Sequence, residues 1–318
     1  MSIPNTNEVR IETSTACNAG CVFCPWPTDD FTRPKEIMTT EKYKFYLDKV
    51  LNEIGTQIEE VTFSGFGEIF VDKNICDKIE YACSKDLKVH VLTNGSMIET
   101  EHIDRMFKSG ITDIRFSLHT FNEDSYGKIM NYRSSKFTFQ KVIDTINYAL
   151  DTKPNNCEII ITADIVEENK HDIDGLVDEF GDRCKLDIWA PHNWVYGKDY
   201  RDKTTPKVLD SCGRPFSGPI QIQVDGDVIM CCFDFDNRMV LGNFERQTLE
   251  EIYSLDQDNL YSKIHAHHTK GTCGESDLIC KDCDQLFSQD NIVLYNNRVG
   301  SNESRINKTS TALGNLQN

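Results

Sequence analysis

Three cysteines lie close together near the start of the chain, in the stretch TACNAGCVFCPW, with the spacing Cys17-x3-Cys21-x2-Cys24. Thiolates are common protein ligands of iron–sulfur clusters, and a four-iron cubane offers one corner for each iron. Three protein thiolates leave one iron without a protein ligand. Such an iron can take an exogenous chelating molecule, as the open position of a catalytic zinc takes water or substrate. The spacing therefore predicts a metal centre with a coordination position left open for a cosubstrate.

The residues around these cysteines alternate between short β-branched runs and amphipathic stretches of helical period. About six βα units imply parallel strands with right-handed crossovers, and the cysteines follow the first strand, at its carboxyl end, where α/β folds place their chemistry. Six units are too few for an eight-stranded barrel, which leaves an open partial barrel or a doubly wound sheet. The predicted strands are 9–13, 60–64, 88–93, 113–118, 158–166 and 186–189, and the predicted helices are 39–54, 73–85, 100–108, 136–150 and 171–180.

Composition excludes several classes of function. The formal net charge of −17 opposes binding to a polyanion, so nucleic acid is not an expected partner. No run approaches the ~20 apolar residues of a membrane helix, and the start MSIPNTNEVR lacks the features of a signal peptide, so we expect a cytoplasmic protein with no membrane contact. In a reducing cytosol, closely spaced cysteines indicate metal binding rather than disulfides.

The pattern of the sequence changes after Pro206. The runs IQIQV and VIMCC flank Asp225-Gly226, a dipeptide typical of the tight turn of a β-hairpin. We therefore expect one domain over residues 1–200 and a smaller one over 207–290. The remaining segment, 291–318, is polar and poor in apolar residues, and we expect it to be disordered.

The cysteine triplet resembles the hallmark of the radical S-adenosylmethionine (radical SAM) enzymes, and the aromatic Phe23 before the third cysteine is part of that resemblance. The resemblance implies a [4Fe-4S] cluster on Cys17, Cys21 and Cys24, with the open iron chelated by the amino and carboxylate groups of S-adenosylmethionine. One electron from that cluster would cleave a carbon–sulfur bond, and the resulting 5′-deoxyadenosyl radical would abstract hydrogen from a substrate. The fold class implied is α/β, a partial (β/α)6 barrel similar to a TIM barrel.

The stretch SGFGEIF after the second predicted strand is similar to the Gly-Gly-Glu-Pro element of the same family. Gly65, Gly67 and Glu68 occupy it, with Phe66 inserted and Ile69 where proline is usual. A bound ammonium needs acceptors, which glycine carbonyls at close range and a glutamate carboxylate can supply. The resemblance therefore implies that this loop binds the methionine part of S-adenosylmethionine.

Two further residues lie at the ends of later strands. Asn94 in LTNG and Ser117 in FSLHT stand where the family makes ribose and methionine contacts, so the resemblance implies cofactor contacts for both. Each also has a simpler interpretation: Asn94 as part of a turn, and Ser117 as a residue that caps a loop.

A second set of cysteines has the spacing Cys212-x13-Gly226-x4-Cys231, followed later by Cys280-x2-Cys283. It resembles the SPASM or Twitch extension of radical SAM enzymes, a small C-terminal β-hairpin and helix domain with an auxiliary cluster. The resemblance implies one auxiliary [4Fe-4S] cluster, closed by these four cysteines and suited to electron transfer. A structural zinc site with the same four thiolates is the alternative.

Cys232 and Cys273 are left over by this assignment, and either could replace a ligand or donate a hydrogen atom. Within the family, the arrangement is similar to the Twitch domain of a dehydrogenase that oxidises an alcohol. We therefore expect an enzyme that oxidises or otherwise modifies a small alcohol, sugar or cyclitol, or a peptide, with flavodoxin or ferredoxin as one-electron donor. The alternatives are a radical epimerase or a maturase of ribosomal peptides, and a non-catalytic iron–sulfur or zinc protein that carries electrons or binds a partner.

Overall fold

The computed structural model describes residues 3–201, 209–286 and 293–297. Its strands are β1 (Glu8–Ile11), β2 (Glu60–Phe63), β3 (Lys88–Thr93), β4 (Asp113–Ser117), β5 (Glu158–Asp164), β6 (Lys185–Trp189), β7 (Ile220–Ile222), β8 (Asp227–Ile229), β9 (Val240–Asn243) and β10 (Val293–Asn296). Its α-helices are α1 (Thr40–Ile54), α2 (Ile75–Cys83), α3 (Thr100–Ser109), α4 (Glu123–Met130), α5 (Phe139–Thr152), α6 (Ile173–Phe180), α7 (Arg214–Ser217), α8 (Leu249–Ile252) and α9 (Leu260–Lys270). Short 3-10 helices cover Ile69–Val71, Cys273–Glu275, Ile279–Asp282 and Asp284–Leu286.

The contacts between Cα atoms divide the described chain into two compact units that are not contiguous in sequence. The first unit takes the described residues of Met1–Cys17, Thr28–Val89 and His192–Ser288, and the second takes those of Asn18–Pro27, His90–Pro191 and Gln289–Asn318. The predicted division into 1–200, 207–290 and 291–318 is contiguous and stays a prediction. The expected tail is described only at 293–297, where β10 lies, and the rest of it falls outside the described residues.

The first unit is built around β1. This strand pairs in parallel with β2 on one side and with β7 on the other, and β7, β8 and β9 continue as antiparallel neighbours. The predicted hairpin is therefore present, and Gly226 occupies its turn with φ +92°, a backbone conformation that glycine adopts without steric cost. Helix α1 begins where the Thr39 side chain accepts a hydrogen bond from the amide of Lys42 and buries one apolar stripe.

The second unit contains the parallel strands β3, β4, β5 and β6 in that order, with β10 antiparallel to β6. The interior of β5 is buried almost continuously, as expected for a parallel strand covered on both faces. Helix α4 was not predicted, because Gly127 interrupts its apolar pattern. Asn122 nevertheless caps it by accepting a hydrogen bond from the amide of Ser125.

All six predicted βα strands are present, and their parallel pairs confirm the α/β fold class. Strand β3 has the predicted bounds, and the ends of the other five differ by two residues or fewer. Within the part of the chain that the structure describes, no helix is both long enough and apolar enough to cross a membrane.

Candidate functional site

The cysteine triplet lies in the loop that follows β1. All three residues are reduced thiols of intermediate exposure. Cys17 belongs to the first unit, and Cys21 and Cys24 belong to the second. The amide of Cys24 donates to the carbonyl oxygen of Cys21 at 3.1 Å, and the amide of Trp26 donates to the sulfur of Cys24 at 3.4 Å. The loop therefore holds Cys21 and Cys24 on a tight turn, and both residues are partly exposed.

In the first unit, the glycine–glutamate loop packs directly against the backbone that leads to Cys17. The amide of Gly67 donates to the Ser14 carbonyl oxygen at 3.2 Å, and the amide of Glu68 donates to the Ala16 carbonyl oxygen at 2.9 Å. A Cβ atom on Gly67 would stand 2.3 Å and 2.6 Å from these two oxygens. Only glycine fits here without a shift of backbone, so Gly67 fixes the position of the loop that carries the first cysteine.

The side chain of Glu68 is almost fully buried and has a local structural role. Its Oε1 accepts a hydrogen bond from the amide of Phe70 at 3.1 Å and so caps the 3-10 helix Ile69–Val71. The cap accounts for part of the acceptor capacity of the carboxylate, since each carboxylate oxygen can accept more than one hydrogen bond. The predicted contact of Glu68 with a bound ammonium stays a prediction.

A buried ion pair between Glu12 and Arg33 supports the same loop, and no local sequence pattern indicates it. The two oxygens of Glu12 accept hydrogen bonds from both terminal nitrogens of Arg33, and they also accept from the amides of Phe66 at 3.1 Å and Val224 at 3.4 Å. A Cβ atom on Gly65 would stand 2.4 Å from the Cγ of Glu12. Glycine is thus required at position 65 by the close approach of the buried carboxylate of Glu12.

In the second unit, Asn94 connects the end of β3 to the cysteine loop. Its Nδ2 donates to Oδ1 of Asn18 at 3.0 Å, and its Oδ1 accepts from the amide and the hydroxyl of Ser96. Asn18 in turn donates to the Ser96 hydroxyl at 2.8 Å. Asn94 therefore holds the residue after Cys17 in place, whereas Ser117 contacts the hydroxyl of Thr162 at 3.4 Å at the end of β4.

Phe23, the aromatic residue of the triplet, packs on His119 with the ring centroids 4.6 Å apart. His119 is buried at φ +67°, and its Nδ1 accepts a hydrogen bond from the amide of Asp164 at 3.1 Å. Desolvation lowers the pKa of His119 to about 3, so the ring is neutral near pH 7 and its proton lies on Nε2. A single histidine in FSLHT has no spacing partner, so sequence alone gave no signal for this contact.

The four cysteines predicted to hold the auxiliary cluster line one cavity within the first unit. Cys212, Cys231, Cys280 and Cys283 all contribute to its wall, together with Arg214 and seven further residues. Burial raises the pKa of the Cys283 thiol to about 12 and also raises that of Cys280. Such thiols become thiolates when a bound cation compensates the charge, so this donor set fits a thiolate-ligated metal centre.

The two leftover cysteines are not among the residues that line this cavity. Cys273 is buried, with its sulfur 3.9 Å from the carbonyl oxygen of Asp210. Cys232 packs beside Phe233 and Val195. Within residues 3–201, 209–286 and 293–297, no group of three or more histidine, cysteine or carboxylate side chains lies close enough to hold a single metal ion.

Two family models match the chain. Residues 11–180, more than half of the sequence, match the radical SAM superfamily, and residues 212–284 match an iron–sulfur cluster-binding domain, SPASM. The first match contains the triplet and the glycine–glutamate loop, and the second contains all four predicted auxiliary ligands. These matches confirm the cofactors expected from the sequence: S-adenosylmethionine with its [4Fe-4S] cluster, and auxiliary iron–sulfur.

Three curated relatives illustrate the range of the resemblance. The S-adenosyl-L-methionine-dependent 2-deoxy-scyllo-inosamine dehydrogenase of Niallia circulans is 22% identical over 88% of this chain and 94% of its own length. The GTP 3′,8-cyclase of Desulforamulus reducens is 28% identical over 50% of this chain, and the subtilosin biosynthesis protein AlbA of Bacillus subtilis is 26% identical over 60%. The matched region spans less than half the length of the cyclase and of AlbA, at 47% and 40%.

Solved structures share the fold. BtrN in complex with AdoMet and 2-DOIA has a TM-score of 0.58 at 16% identity, covering 91% of this chain and 98% of BtrN. Streptococcus suis SuiB bound to precursor peptide SuiA has a TM-score of 0.65 at 16% identity, covering 84% of this chain and 67% of SuiB. This likeness confirms the partial barrel, while the individual site residues stay predictions. With more than half of its length matched by the family model, the chain belongs to the radical SAM superfamily.

Proposed function

We propose that this radical SAM enzyme oxidises an alcohol carbon of a small sugar or cyclitol by two electrons, with the auxiliary cluster as the first electron acceptor. The observation that carries the proposal is the gathering of Cys212, Cys231, Cys280 and Cys283 around one cavity. A cluster closed by four thiolates has no position for a substrate and is suited to electron transfer. An enzyme that must remove an electron from a substrate radical has a use for such a centre.

The same proposal assigns the radical-generating site. When bound there, S-adenosylmethionine and its cluster supply a 5′-deoxyadenosyl radical. The glycine–glutamate loop offers backbone carbonyls and a buried carboxylate to an ammonium group, and burial strengthens such charge-assisted bonds. The proposed cluster ligands are Cys17, Cys21 and Cys24, and the proposed cofactor contacts are Phe23, Gly65, Gly67, Glu68, Asn94 and Ser117.

The proposed reaction is a two-electron oxidation of a carbinol carbon to a ketone. With S-adenosylmethionine and both clusters bound, the site would remove one hydrogen atom from the carbinol carbon and the proton of the hydroxyl group, and the auxiliary cluster would accept the remaining electron. The products are a ketone, 5′-deoxyadenosine, methionine and a proton. An external one-electron donor, such as flavodoxin or ferredoxin, would supply the electron that cleaves S-adenosylmethionine. In each turnover the auxiliary cluster would pass the electron taken from the substrate back to such a carrier. The cytoplasmic location expected from the sequence belongs to this proposal.

The choice of an alcohol substrate is supported by a sequence comparison that extends over 88% of this chain and 94% of the relative. That relative is a 2-deoxy-scyllo-inosamine dehydrogenase, and BtrN was solved with AdoMet and 2-DOIA. SuiB, which was solved with a precursor peptide, shares the fold, and AlbA, which is named for the biosynthesis of a bacteriocin, shares a shorter stretch of sequence. Peptide modification is therefore the outcome that the test must be able to detect.

The test uses the anaerobically reconstituted protein with S-adenosylmethionine, dithionite and a panel of aminocyclitols and sugars deuterated at their carbinol carbons. We expect deuterium in 5′-deoxyadenosine and a product that has lost two hydrogens. Cys24→Ala is the matched control and should give no 5′-deoxyadenosine above background. Deuterium taken up from solvent into an unoxidised product would instead indicate epimerisation. Turnover of short peptides but not of alcohols would overturn the proposed substrate class.

A further inference from the structure

Arg214 lies in the wall of the auxiliary cavity. It is partly buried, lines the cavity together with the four proposed ligands, and places its guanidinium carbon 5.3 Å from the ring centroid of Phe233. Within the described ranges, no carboxylate oxygen lies within 4.0 Å of its guanidinium nitrogens. The wall of the cavity around it carries the thiols of Cys212, Cys231, Cys280 and Cys283.

Other arginines of the same unit have partners. Arg10 pairs with Glu8 at 2.8 Å, and Arg201 pairs with Asp284 at 3.5 Å. The exposed Arg238 lies over the ring of Tyr196, with 3.7 Å between its guanidinium carbon and the ring centroid. Arg214 therefore differs from Arg10, Arg201 and Arg238. Its neighbours in the cavity wall are thiols, whereas the other three have a carboxylate partner or are exposed to solvent.

A guanidinium group stays protonated at every pH a protein experiences, so the charge at this position is permanent. A cation removed from water without a counter-ion is unfavourable, and the cost falls when an anion stands beside it. A four-iron cluster held by four thiolates is such an anion. Its reduction adds a further negative charge, and nearby charge is one of the factors that set the potential of these clusters.

We propose that Arg214 is a positioning residue that raises the reduction potential of the auxiliary cluster. The inference rests on the proposed ligand set and deepens the proposed function. The fixed positive charge stabilises the reduced cluster more than the oxidised one, because the reduced cluster carries one more negative charge. Electron transfer from a substrate radical to the cluster then becomes more favourable. The electron that reduces the cluster is the one that the substrate radical loses when it is oxidised.

The test is a redox titration of the reconstituted full-length chain, followed by electron paramagnetic resonance. Cys17→Ala, Cys21→Ala and Cys24→Ala, combined in one background, isolate the auxiliary signal. In this background we expect Arg214→Gln to lower the ratio of reduced to oxidised cluster at least tenfold at fixed potential, which for a one-electron couple is a shift of 59 mV. Arg214→Lys keeps the positive charge, so its midpoint potential should stay close to that of the parent background. Arg238→Gln is the matched control at an exposed arginine and should leave the midpoint unchanged.

An unchanged midpoint in an Arg214→Gln protein that retains its cluster iron would overturn the inference. If the neutral variant instead loses the cluster, iron content becomes the measurement. Recovery of iron in Arg214→Lys would support the role of charge, and equal loss in both variants would show that only the shape of the side chain matters. The titration needs neither S-adenosylmethionine nor substrate, so its result is independent of whether an alcohol is oxidised. A shifted potential without alcohol turnover would sink the proposed function alone.

Discussion

A Cβ atom on Gly67 would stand 2.3 Å from the carbonyl oxygen of Ser14, a separation that real Cβ contacts do not show. Gly67→Ala must therefore displace the backbone that leads to Cys17. We expect this variant to bind substantially less iron at the first cluster while keeping its auxiliary iron. Iron and sulfide analysis, together with the spectroscopic signal of each cluster, measures the effect.

Gly127→Ala is the control for that substitution. Gly127 is an exposed residue of α4, and a Cβ atom there would meet nothing within 4 Å. Alanine is favoured over glycine inside a helix by roughly 0.5–1 kcal/mol, so this variant should be at least as stable as the parent protein. If Gly67→Ala loaded as much iron as Gly127→Ala, the close backbone approach would not position the triplet.

The buried pair of Glu12 and Arg33 gives a second prediction. Glu12→Gln keeps the shape of the side chain but leaves the guanidinium without its counter-charge, and the side chains of both partners are less than 10% exposed. Breaking such a pair from one side costs about 3–5 kcal/mol. We expect a loss of that size in the free energy of unfolding by urea.

A double substitution separates the charge effect from packing. Adding Arg33→Met to Glu12→Gln removes the unpaired cation and should recover part of the loss, because the two residues form one interacting unit. Asp277→Ala, at an exposed pair with Lys263, is the control and should leave the unfolding midpoint unchanged. A loss below about 1 kcal/mol for Glu12→Gln would mean that the pair contributes little to stability.

The secondary structure was readable where local patterns decide it. The alternation in KVHVLT defines β3 at its observed bounds, and Asp225-Gly226 marks the turn between β7 and β8. The sequence did not reveal α4, because a capping hydrogen bond from Asn122 compensates for an unfavourable glycine. It also gave no sign that β7 pairs with β1, since contacts between residues more than 200 positions apart leave no local periodicity.

The candidate site divides in the same way. The cysteines were found because metal ligands follow fixed spacings, and Gly67 because its loop resembles a family element. The partners that orient them are charges and amides distant in sequence, such as Arg33, 21 residues after Glu12. Arg214 follows Cys212 by only two residues, but its significance depends on the three other cysteines that surround it in space.

The ligand set of the auxiliary cluster gives a third prediction. Cys280 lines the cavity, whereas Cys273 is buried outside it. We expect Cys280→Ala to lose auxiliary iron, by about four irons per chain if the whole cluster is lost, and Cys273→Ala to retain it. Metal analysis also tests the zinc alternative, because a zinc site would load zinc and stay colourless. Equal iron in both variants would exclude Cys280 from the ligand set.

The hydrogen bond between Asn94 and Asn18 gives a fourth prediction. The 3.0 Å contact joins the cysteine loop to the end of β3 within the second unit. Asn94→Ala leaves Asn18 and Ser96 without their shared partner. We expect this change to lower the free energy of unfolding by about 1–3 kcal/mol and to slow cluster assembly. Rates of iron incorporation in Asn94→Ala, in Asn18→Ala and in the double variant measure the coupling between these two side chains. Strictly additive effects would show that the contact does not order the loop.

The neutral state of His119 gives the last prediction, which concerns pH. Its pKa is about 3 in the folded protein because burial disfavours the charged ring, against 6.5 for a solvated histidine. Between these values the unfolded chain binds a proton at this ring that the folded chain does not, so the contribution of His119 to folding stability falls as the pH drops through 6.5 and levels off about one pH unit above it. Between pH 6.5 and pH 5 this histidine accounts for about 1.6 kcal/mol of the loss.

His119→Asn removes the titrating ring while tolerating the positive φ of this position, which asparagine adopts more readily than most residues. The amide oxygen of asparagine can still accept a hydrogen bond from the amide of Asp164. We therefore expect urea unfolding at a series of pH values to give a shallower acid slope for His119→Asn than for the parent. His171→Asn, at an exposed histidine, should keep the parent slope. Parallel slopes for all three proteins would mean that His119 is protonated in the fold, contrary to its burial against Phe23 and its acceptor role at Nδ1.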